Sequence, residues 1–240
     1  MLETYITQTS RLLQNPAPST GLYSRASVID YINIARKQLA GEGECIRMIG
    51  TIPTVAGQRA YSFGDIDLGS AAGVAGVFNV RRINYVTGDG QQYVTPRPWE
   101  WFDQYAMNNV VPASGVPAIW SQYGQGGGAP TGGSSQSGSF YIDPLPDDVY
   151  TLYCDCVCYP VTLVDDTTAE AIPFIFTDAV PFFAAWYALL SNQTQARRAD
   201  AEAYYGYYKT FLGRARQIAT PAVLAPQYEQ APDPTQGGGQ

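Results

Sequence analysis

Helical and strand-like patterns are segregated along this chain, and that separation limits its possible folds more than any other feature. Apolar residues recur at helical spacing near both ends, whereas short alternating and turn-bounded runs fill the middle. Such an order predicts an α+β fold. We expect residues 1–45 and 170–219 to form one helical module, residues 46–169 an antiparallel β-rich module, and residues 220–240 an extended C-terminal arm.

Four helices are predicted from spacing and end signals. The first begins near Leu2 and stops at Asn15-Pro16, and the second is capped by Ser24 and terminated by Gly41. The third runs from about Pro173 or Thr177 to Leu190, and Pro181 fits only in its first turn or at a kink. Because its surface is apolar nearly all round, we expect it to be buried. The fourth reaches about Ile218, with Tyr204, Tyr208, Phe211 and Ala215 on one stripe.

The strand predictions are bounded by glycine and proline. Gly88-Asp89-Gly90 between Val77–Val86 and Gln92–Thr95 is typical of a hairpin. Further strands are predicted at 50–53, 58–63, 116–123, 139–142 and 149–163, and a short amphipathic helix at 99–107. Residues 124–138 read GQGGGAPTGGSSQSG, a low-complexity loop at the tip of the hairpin formed by 118–123 and 139–142. No helix follows this loop, so a phosphate-binding site is not expected there.

Residue types exclude most catalytic chemistry. The chain has no histidine, which removes Ser-His-Asp and Cys-His catalysis and a common metal ligand. The carboxylates Asp143, Asp147, Asp148, Asp165 and Asp166 stand beside proline or threonine, where aspartate serves turns and caps. We therefore expect no catalytic residue, no cofactor and no metal site.

The four cysteines are Cys45, Cys154, Cys156 and Cys158. The last three alternate on a predicted strand, so they would share one face about 7 Å apart per step. That spacing suits neither a disulfide nor one metal ion, and we expect reduced thiols that face a core.

The charge pattern argues against a nucleic-acid or membrane partner. The formal net charge is −7, the only lysines are Lys37 and Lys209, and the pairs Arg81–Arg82 and Arg197–Arg198 are isolated. Specific DNA binding needs a clustered positive face. No secretory signal and no window approaching a membrane span is predicted, so we expect a protein made in the cytosol without membrane contact.

The arm, residues 220–240, indicates a protein partner. Its sequence, TPAVLAPQYEQAPDPTQGGGQ, holds few large apolar residues, and such an end stays frayed unless something else binds it. The 18 tyrosines together with a 15% charged fraction also favour interfaces. We expect a docking strap that orders on assembly, with Val223, Leu224 and Tyr228 as anchors.

Three stretches resemble the head-to-tail adaptor, or connector, proteins of tailed bacteriophages. They are YSRASVIDYINIARKQLAGEGE with its capped helix and internal Ile-Asn-x-Ala, FYIDPLPDDVYTLYCDCVCYPVTLVDD with a long strand, and the paired helices from AIPFIF to RARQ. The likeness as a whole covers about two thirds of the chain.

The resemblance implies a virion protein at the neck, in a homo-oligomeric ring of usually twelve copies below the portal protein. The helical module would face the portal and neighbouring subunits, the arm would reach onto the portal or an adjacent adaptor, and the β-rich module would face tail, nozzle or fibre proteins. DNA would pass through without specific binding. The expected interface residues are Arg197, Arg198, Tyr204, Tyr207 and Tyr208 in the helices, and Gly126, Pro130 and Ser135 in the loop.

Two alternatives stay open from the sequence. A tail tube, nozzle or fibre-attachment protein would suit the β-rich middle equally well. A glycan-active enzyme or glycan-binding module would need two carboxyls facing each other across a cleft, with Asp147 and Asp165 as the residues to mutate.

Overall fold

The structure, a computed structural model, describes residues 1–15, 21–87, 90–108, 113–124, 138–191 and 197–219. Five helices and a seven-stranded sheet lie within this part of the chain, which confirms the α+β class. The helices are α1 (Leu2–Leu12), α2 (Arg25–Gly43), α3 (Trp99–Phe102), α4 (Ala179–Ser191) and α5 (Arg198–Ala219). The strands are β1 (Arg47–Pro53), β2 (Ala60–Ser62), β3 (Val74–Thr87), β4 (Gly90–Pro96), β5 (Ile119–Tyr123), β6 (Ser139–Asp143) and β7 (Thr151–Pro160).

Helix α2 begins as the sequence predicts and ends later. The Ser24 hydroxyl accepts a hydrogen bond from the Ser27 N–H, as an N-cap does. The prediction that Gly41 terminates the helix is wrong, because α2 continues to Gly43 and the left-handed residue is Glu44, with φ of 48°. Gly43 has a packing role instead: a Cβ there would lie 3.3 Å from the Cβ of Ala215, so glycine lets α2 and α5 approach closely.

Helix α4 lies among α1, α2 and α5, and its small residues allow close contact with all three. Pro181 falls in the first turn, where its missing N–H costs no helical hydrogen bond. The expectation of all-round burial is wrong on one side: Leu190 is exposed, and Phe182 and Trp186 are half-buried. The exposed side carries the surfaces described below.

The sheet has the order β1-β7-β3-β4-β5-β6-β2. Both predicted hairpins, β3 with β4 and β5 with β6, pair antiparallel. The expectation of a wholly antiparallel module needs one correction, because β4 and β5 pair in parallel. Parallel neighbours need a crossover, and here the connection between them includes α3 and the wider turn Asp103–Met107, which together replace the single predicted helix at 99–107.

Strand β7 lies between β1 and β3 and carries the cysteine row. Leu152, Cys154, Cys156 and Cys158 are fully buried, as the alternation predicts. Helix α2 packs on β7, so one hydrophobic cluster includes residues of both the helices and the sheet. Burial of this row favours one strand register, because a slip by one residue would move all four side chains to the opposite, less buried face of β7.

The described residues contain one stretch that is long and apolar enough to cross a membrane. Phe174–Ser191 has a mean hydropathy of 1.4 over 18 residues, which corrects the expectation that no window approaches a span. The stretch is 56% buried inside the fold and includes the charged Asp178. The core helix of a globular protein has the same properties, because α4 buries its surface against three other helices.

Candidate interaction surfaces

The carboxylates singled out in the sequence stabilise turns and helix ends. Asp165 accepts hydrogen bonds from the N–H and hydroxyl groups of both Thr167 and Thr168, and these bonds hold the pKa of Asp165 below its ordinary value. Asp166 accepts from the Glu3 N–H in the first turn of α1, and its pKa is also lowered, chiefly by a bond from the Met1 amino group. Each carboxylate therefore accepts from backbone N–H groups that have no acceptor within a helix or strand.

The remaining aspartates of the set have similar roles. Asp147 accepts a hydrogen bond from the Tyr150 hydroxyl at 2.6 Å, and Asp148 accepts from the Val149 N–H at 2.7 Å. Asp143 pairs with Arg59 at 2.9 Å; partial burial raises its pKa, and the arginine opposes that rise. Asp147, Asp148 and Asp165 thus bond to residues within three positions of themselves, as the turn interpretation predicts. Asp143 and Asp166 instead bond to groups that are distant in the sequence.

The four thiols are free and buried. Burial raises the pKa of Cys45 to about 11 and the pKa values of Cys154 and Cys158 to about 12. Thiols in this state are poor nucleophiles and poor metal ligands. Among the described residues, no group of three histidine, cysteine, aspartate or glutamate side chains could hold a metal ion.

A buried polar cluster that the sequence interpretation missed fastens the connection between β7 and α4 to α2. We call Asn33, Arg36 and Glu170 the latch. Arg36, only 1% exposed, donates to Glu170 at 2.7 Å and to the Val161 carbonyl at 2.6 Å. Asn33 bonds both backbone groups of Leu163, at 2.9 and 3.0 Å. The signal was available, because Arg36 follows Ile32 by four residues and so lies on the apolar stripe of α2.

The latch leads directly to the most exposed large apolar side chain in the described part of the chain. Phe174 is 82% exposed and Ile175 is 59% exposed, and we call this pair the apolar knob. Its flanks, Ile172 and Phe176, are buried. The Glu170 carboxylate accepts from the Ile172 N–H at 2.9 Å, and the Thr177 hydroxyl donates to the Phe174 carbonyl at 2.8 Å. The knob is therefore held in a defined conformation while its side chains face water.

A second apolar surface lies where α1, α4 and α5 meet. It is a depression of about 470 Å³ that we call the apolar groove, lined by Gln8, Arg11, Leu12, Asp178, Pro181, Phe182 and Phe211. Phe182 stacks on Phe211 with ring centroids 6.0 Å apart, and the exposed Tyr207 lies 5.3 Å from Phe182. The lining is mainly apolar, and Arg11 and Asp178 place both signs of charge at its rim.

Aromatic side chains of α3, β5 and β6 lie close together, and we call Trp99, Trp101, Tyr123 and Tyr141 the aromatic patch. Trp99 contacts Tyr123 and Tyr141 at centroid distances of 4.6 and 4.8 Å, and the Arg97 guanidinium lies over Trp101 at 5.0 Å. Tyr123 is exposed, so the patch reaches the surface. Tyrosine and tryptophan that remain partly exposed are enriched in protein interfaces.

The structure separates the helical residues that we expected at an interface. Tyr207 and Arg198 are exposed and available to a partner. Tyr208 is buried and its hydroxyl donates to the Glu42 carboxylate, so its ring packs inside the subunit. Tyr204 donates to the Leu12 carbonyl at 3.0 Å, and Arg197 bonds the carbonyls at the end of α1, so both stabilise the subunit itself.

The other expected interface residues lie outside the described residues. They are Val223, Leu224 and Tyr228 of the arm and Gly126, Pro130 and Ser135 of the loop. The sequence interpretation misses the apolar knob because it places Phe174 and Ile175 at the start of a helix that is expected to be buried. A proline followed by two large apolar residues, just before a helix with its own apolar surface, is the signal that could have identified it.

Comparison with known proteins places the chain in a family. The profile of a family described as "SU10 adaptor protein" matches residues 2–228, nearly the whole chain. No curated protein matches the chain significantly. The matched range extends from α1 through the sheet to α5 and includes the first nine residues of the arm.

Proposed function

Because this chain belongs to the SU10 adaptor protein family and is a structural component of a phage virion, we propose that it forms the ring between the portal and the tail. Twelve copies surround a central channel through which DNA passes. The protein is made in the cytoplasm of the bacterial host and is located at the neck of the particle. Proteins of this family are structural and typically non-enzymatic.

The observation that supports this proposal most is the rigidly held apolar knob. Leaving two large apolar side chains exposed is unfavourable in an isolated protein, and covering them gives about 1.5–3 kcal/mol per side chain. Since the latch and the buried flanks already fix the backbone, little conformational entropy is lost when a partner covers Phe174 and Ile175. Such a surface suits a subunit that is permanently assembled.

The charge distribution agrees with a DNA channel that does not bind its contents. Four of the arginines on the described surface pair with acids: Arg47 with Asp155, Arg81 with Glu44, Arg197 with Asp200 and Arg198 with Glu202. Paired cations offer DNA phosphates less attraction than unpaired ones. With a net charge of −7, a ring of this chain would let DNA slide past without specific contacts.

Three finer features belong to the same proposal. Residues 1–45 and 170–219 act as the helical module that faces the portal and neighbouring copies. Residues 46–169 act as the β-rich module, whose aromatic patch and loop 124–138 face the tail, nozzle or fibre proteins. The arm, residues 220–240, fastens the ring to its neighbours, since many weak arms in one ring together give strong binding.

Binding to the portal tests the proposal. The full-length chain is mixed with the portal protein of the same virus, and bound chain is measured after gradient sedimentation. We expect a stable complex with several copies per portal ring. Truncation before Thr220 is expected to abolish attachment, whereas a tail tube, nozzle or fibre-attachment protein would keep its partners without the arm. Absence of any complex with the full-length chain would overturn the proposal.

A further inference from the structure

We propose that the free chain forms a two-fold symmetric dimer in which the apolar knob of each copy lies in the apolar groove of the other. This inference goes beyond the proposed function. A ring with one rotation axis joins two different surfaces of its subunits, whereas a two-fold contact joins one surface to itself. The dimer is therefore a form of the chain outside the ring.

The knob and the groove lie next to each other on the molecule. Ile175 of the knob precedes Asp178, which lines the groove, by three residues, so their Cα atoms are at most about 11 Å apart. A face with a projection beside a depression can match a second copy of itself. A two-fold axis between the two features places each projection over the depression of the partner.

The knob does not fill the groove of its own chain. Phe174 is 82% exposed although the groove begins only a few residues away. The short turn Phe174–Phe176 is held in place because its flanks, Ile172 and Phe176, are buried, and because the Thr177 hydroxyl bonds the Phe174 carbonyl at 2.8 Å. Contact between a knob and a groove therefore requires a second molecule.

The charges at the rim of the groove indicate that this molecule is another copy. Arg11 and Asp178 are both exposed and line the groove. Among the described residues, neither side chain forms an ion pair or a hydrogen bond. An acidic partner would pair with Arg11 alone and a basic partner with Asp178 alone. A second copy of the same face offers an opposite charge to each, and the two-fold axis forms the pair twice.

The apolar residues between these charges suit the same contact. Leu12, Phe182 and Phe211 are half-buried, so each packs on the core and remains partly open to solvent, and the exposed Tyr207 extends the surface. Covering such side chains is favourable in proportion to the apolar area removed from water. Because a two-fold axis repeats every contact, each covered side chain contributes twice.

Charge reversal at the rim tests the contact in the full-length chain. Arg11→Asp leaves only acids from this pair at the rim, and Asp178→Arg leaves only bases, so like charges oppose each other at both symmetry-related positions. We expect each variant to weaken dimerisation about tenfold or more, measured by sedimentation velocity at several concentrations. Arg82→Asp makes the same change of charge on β3 and should dimerise like the wild type.

Mixing the two variants distinguishes a two-fold contact from any other. In a mixed dimer one copy carries both acids and the other carries both bases, so every rim charge again faces its opposite. We expect an equimolar mixture of Arg11→Asp and Asp178→Arg chains to dimerise at least as strongly as the wild type. If the mixture stays monomeric while both variants keep the melting temperature of the wild type, the two-fold contact is refuted.

Photo-crosslinking locates the knob in the dimer without relying on the charge variants. Phe174 is replaced by a photoreactive phenylalanine analogue, and this light chain is mixed with heavy-isotope chain before irradiation. We expect adducts that join light and heavy chains at the groove residues Leu12, Pro181, Phe182 or Phe211. The same probe at the exposed Tyr123 of β5 is the control and should give at least tenfold fewer groove adducts.

The outcomes separate this inference from the proposed function. A chain that shows no dimer and no mixed groove adducts, yet binds the portal as a ring, overturns the dimer and leaves the adaptor proposal standing. Adducts of the knob only with the portal or another virion protein likewise overturn the dimer. A dimer that the mixture restores, in a chain that never binds the portal, supports this inference and overturns the adaptor proposal.

Discussion

Glu170→Ala tests the latch, which we hold responsible for the position of the apolar knob. Arg36 is 1% exposed and its guanidinium makes its closest carboxylate contact with Glu170 at 2.7 Å. Removal of the carboxylate leaves a buried positive charge with only neutral partners, the Val161 carbonyl and the Asn33 amide oxygen. The Ile172 N–H, next to the knob, loses its acceptor as well.

The size of the effect follows from these contacts. Breaking a buried ion pair by removing one partner costs about 3–5 kcal/mol. Since Arg36 keeps two hydrogen bonds, we take the lower end, about 3 kcal/mol. For a chain of this size each kcal/mol lowers the melting temperature by about 2–4 °C, so we expect a drop of about 9 °C.

Thermal unfolding at one fixed protein concentration, followed by circular dichroism, measures this drop. Glu202→Ala is the matched control, because Glu202 pairs with Arg198 at the surface, and the melting temperature should change by about 1 °C or less. Arg36→Met combined with Glu170→Leu should recover most of the loss, since a well-packed apolar pair can replace a buried ion pair. If Glu170→Ala melts within 2 °C of the wild type, or if the double variant melts below Glu170→Ala, the reasoning fails.

Three further predictions concern the knob, the thiols and one turn. Phe174→Ser should leave the melting temperature of the dissociated subunit within about 2 °C and weaken association by about tenfold, because the side chain is 82% exposed in the subunit; equal association by sedimentation would contradict this. All four cysteines should resist iodoacetamide at pH 8 in the native protein and react after denaturation, since burial raises their pKa values; rapid native alkylation of Cys154, read by mass, would refute it. Asp165→Ala should lower the melting temperature by a constant amount above about pH 4. Because the folded pKa of Asp165 is lowered from an ordinary 3.8, its contribution is present above that value and is lost as the pH falls through the folded pKa. A gap between variant and wild type that widens on acidification would contradict this.

The sequence predicted most elements of the fold because their signals are local. The Ser24 cap, the alternating cysteines of β7 and the glycine-bounded β3–β4 hairpin depend on neighbours in the chain, and all three are confirmed. The predicted helix end at Gly41 is wrong because, in the sequence alone, a glycine inside a helix cannot be told from one that ends it. Only the contact between α2 and α5, where a Cβ on Gly43 would be crowded by Ala215, gives the glycine two residues later a packing role.

The surfaces were harder to predict because they depend on contacts between distant residues. The latch joins Arg36 to Glu170, residues separated by 134 positions, and no local pattern pairs them. Tyr208 and Tyr207 are adjacent on α5, yet one is buried against Glu42 and the other faces solvent, so composition alone could not choose between them. The apolar groove combines three helices and therefore has no signature within any one of them.

Native mass measurement of the full-length chain, alone and with the portal protein, tests the central claim most directly. The account predicts a closed oligomer, twelve chains in a ring, whose assembly Phe174→Ser weakens. A chain that remains monomeric at every concentration, even in the presence of the portal, would contradict it.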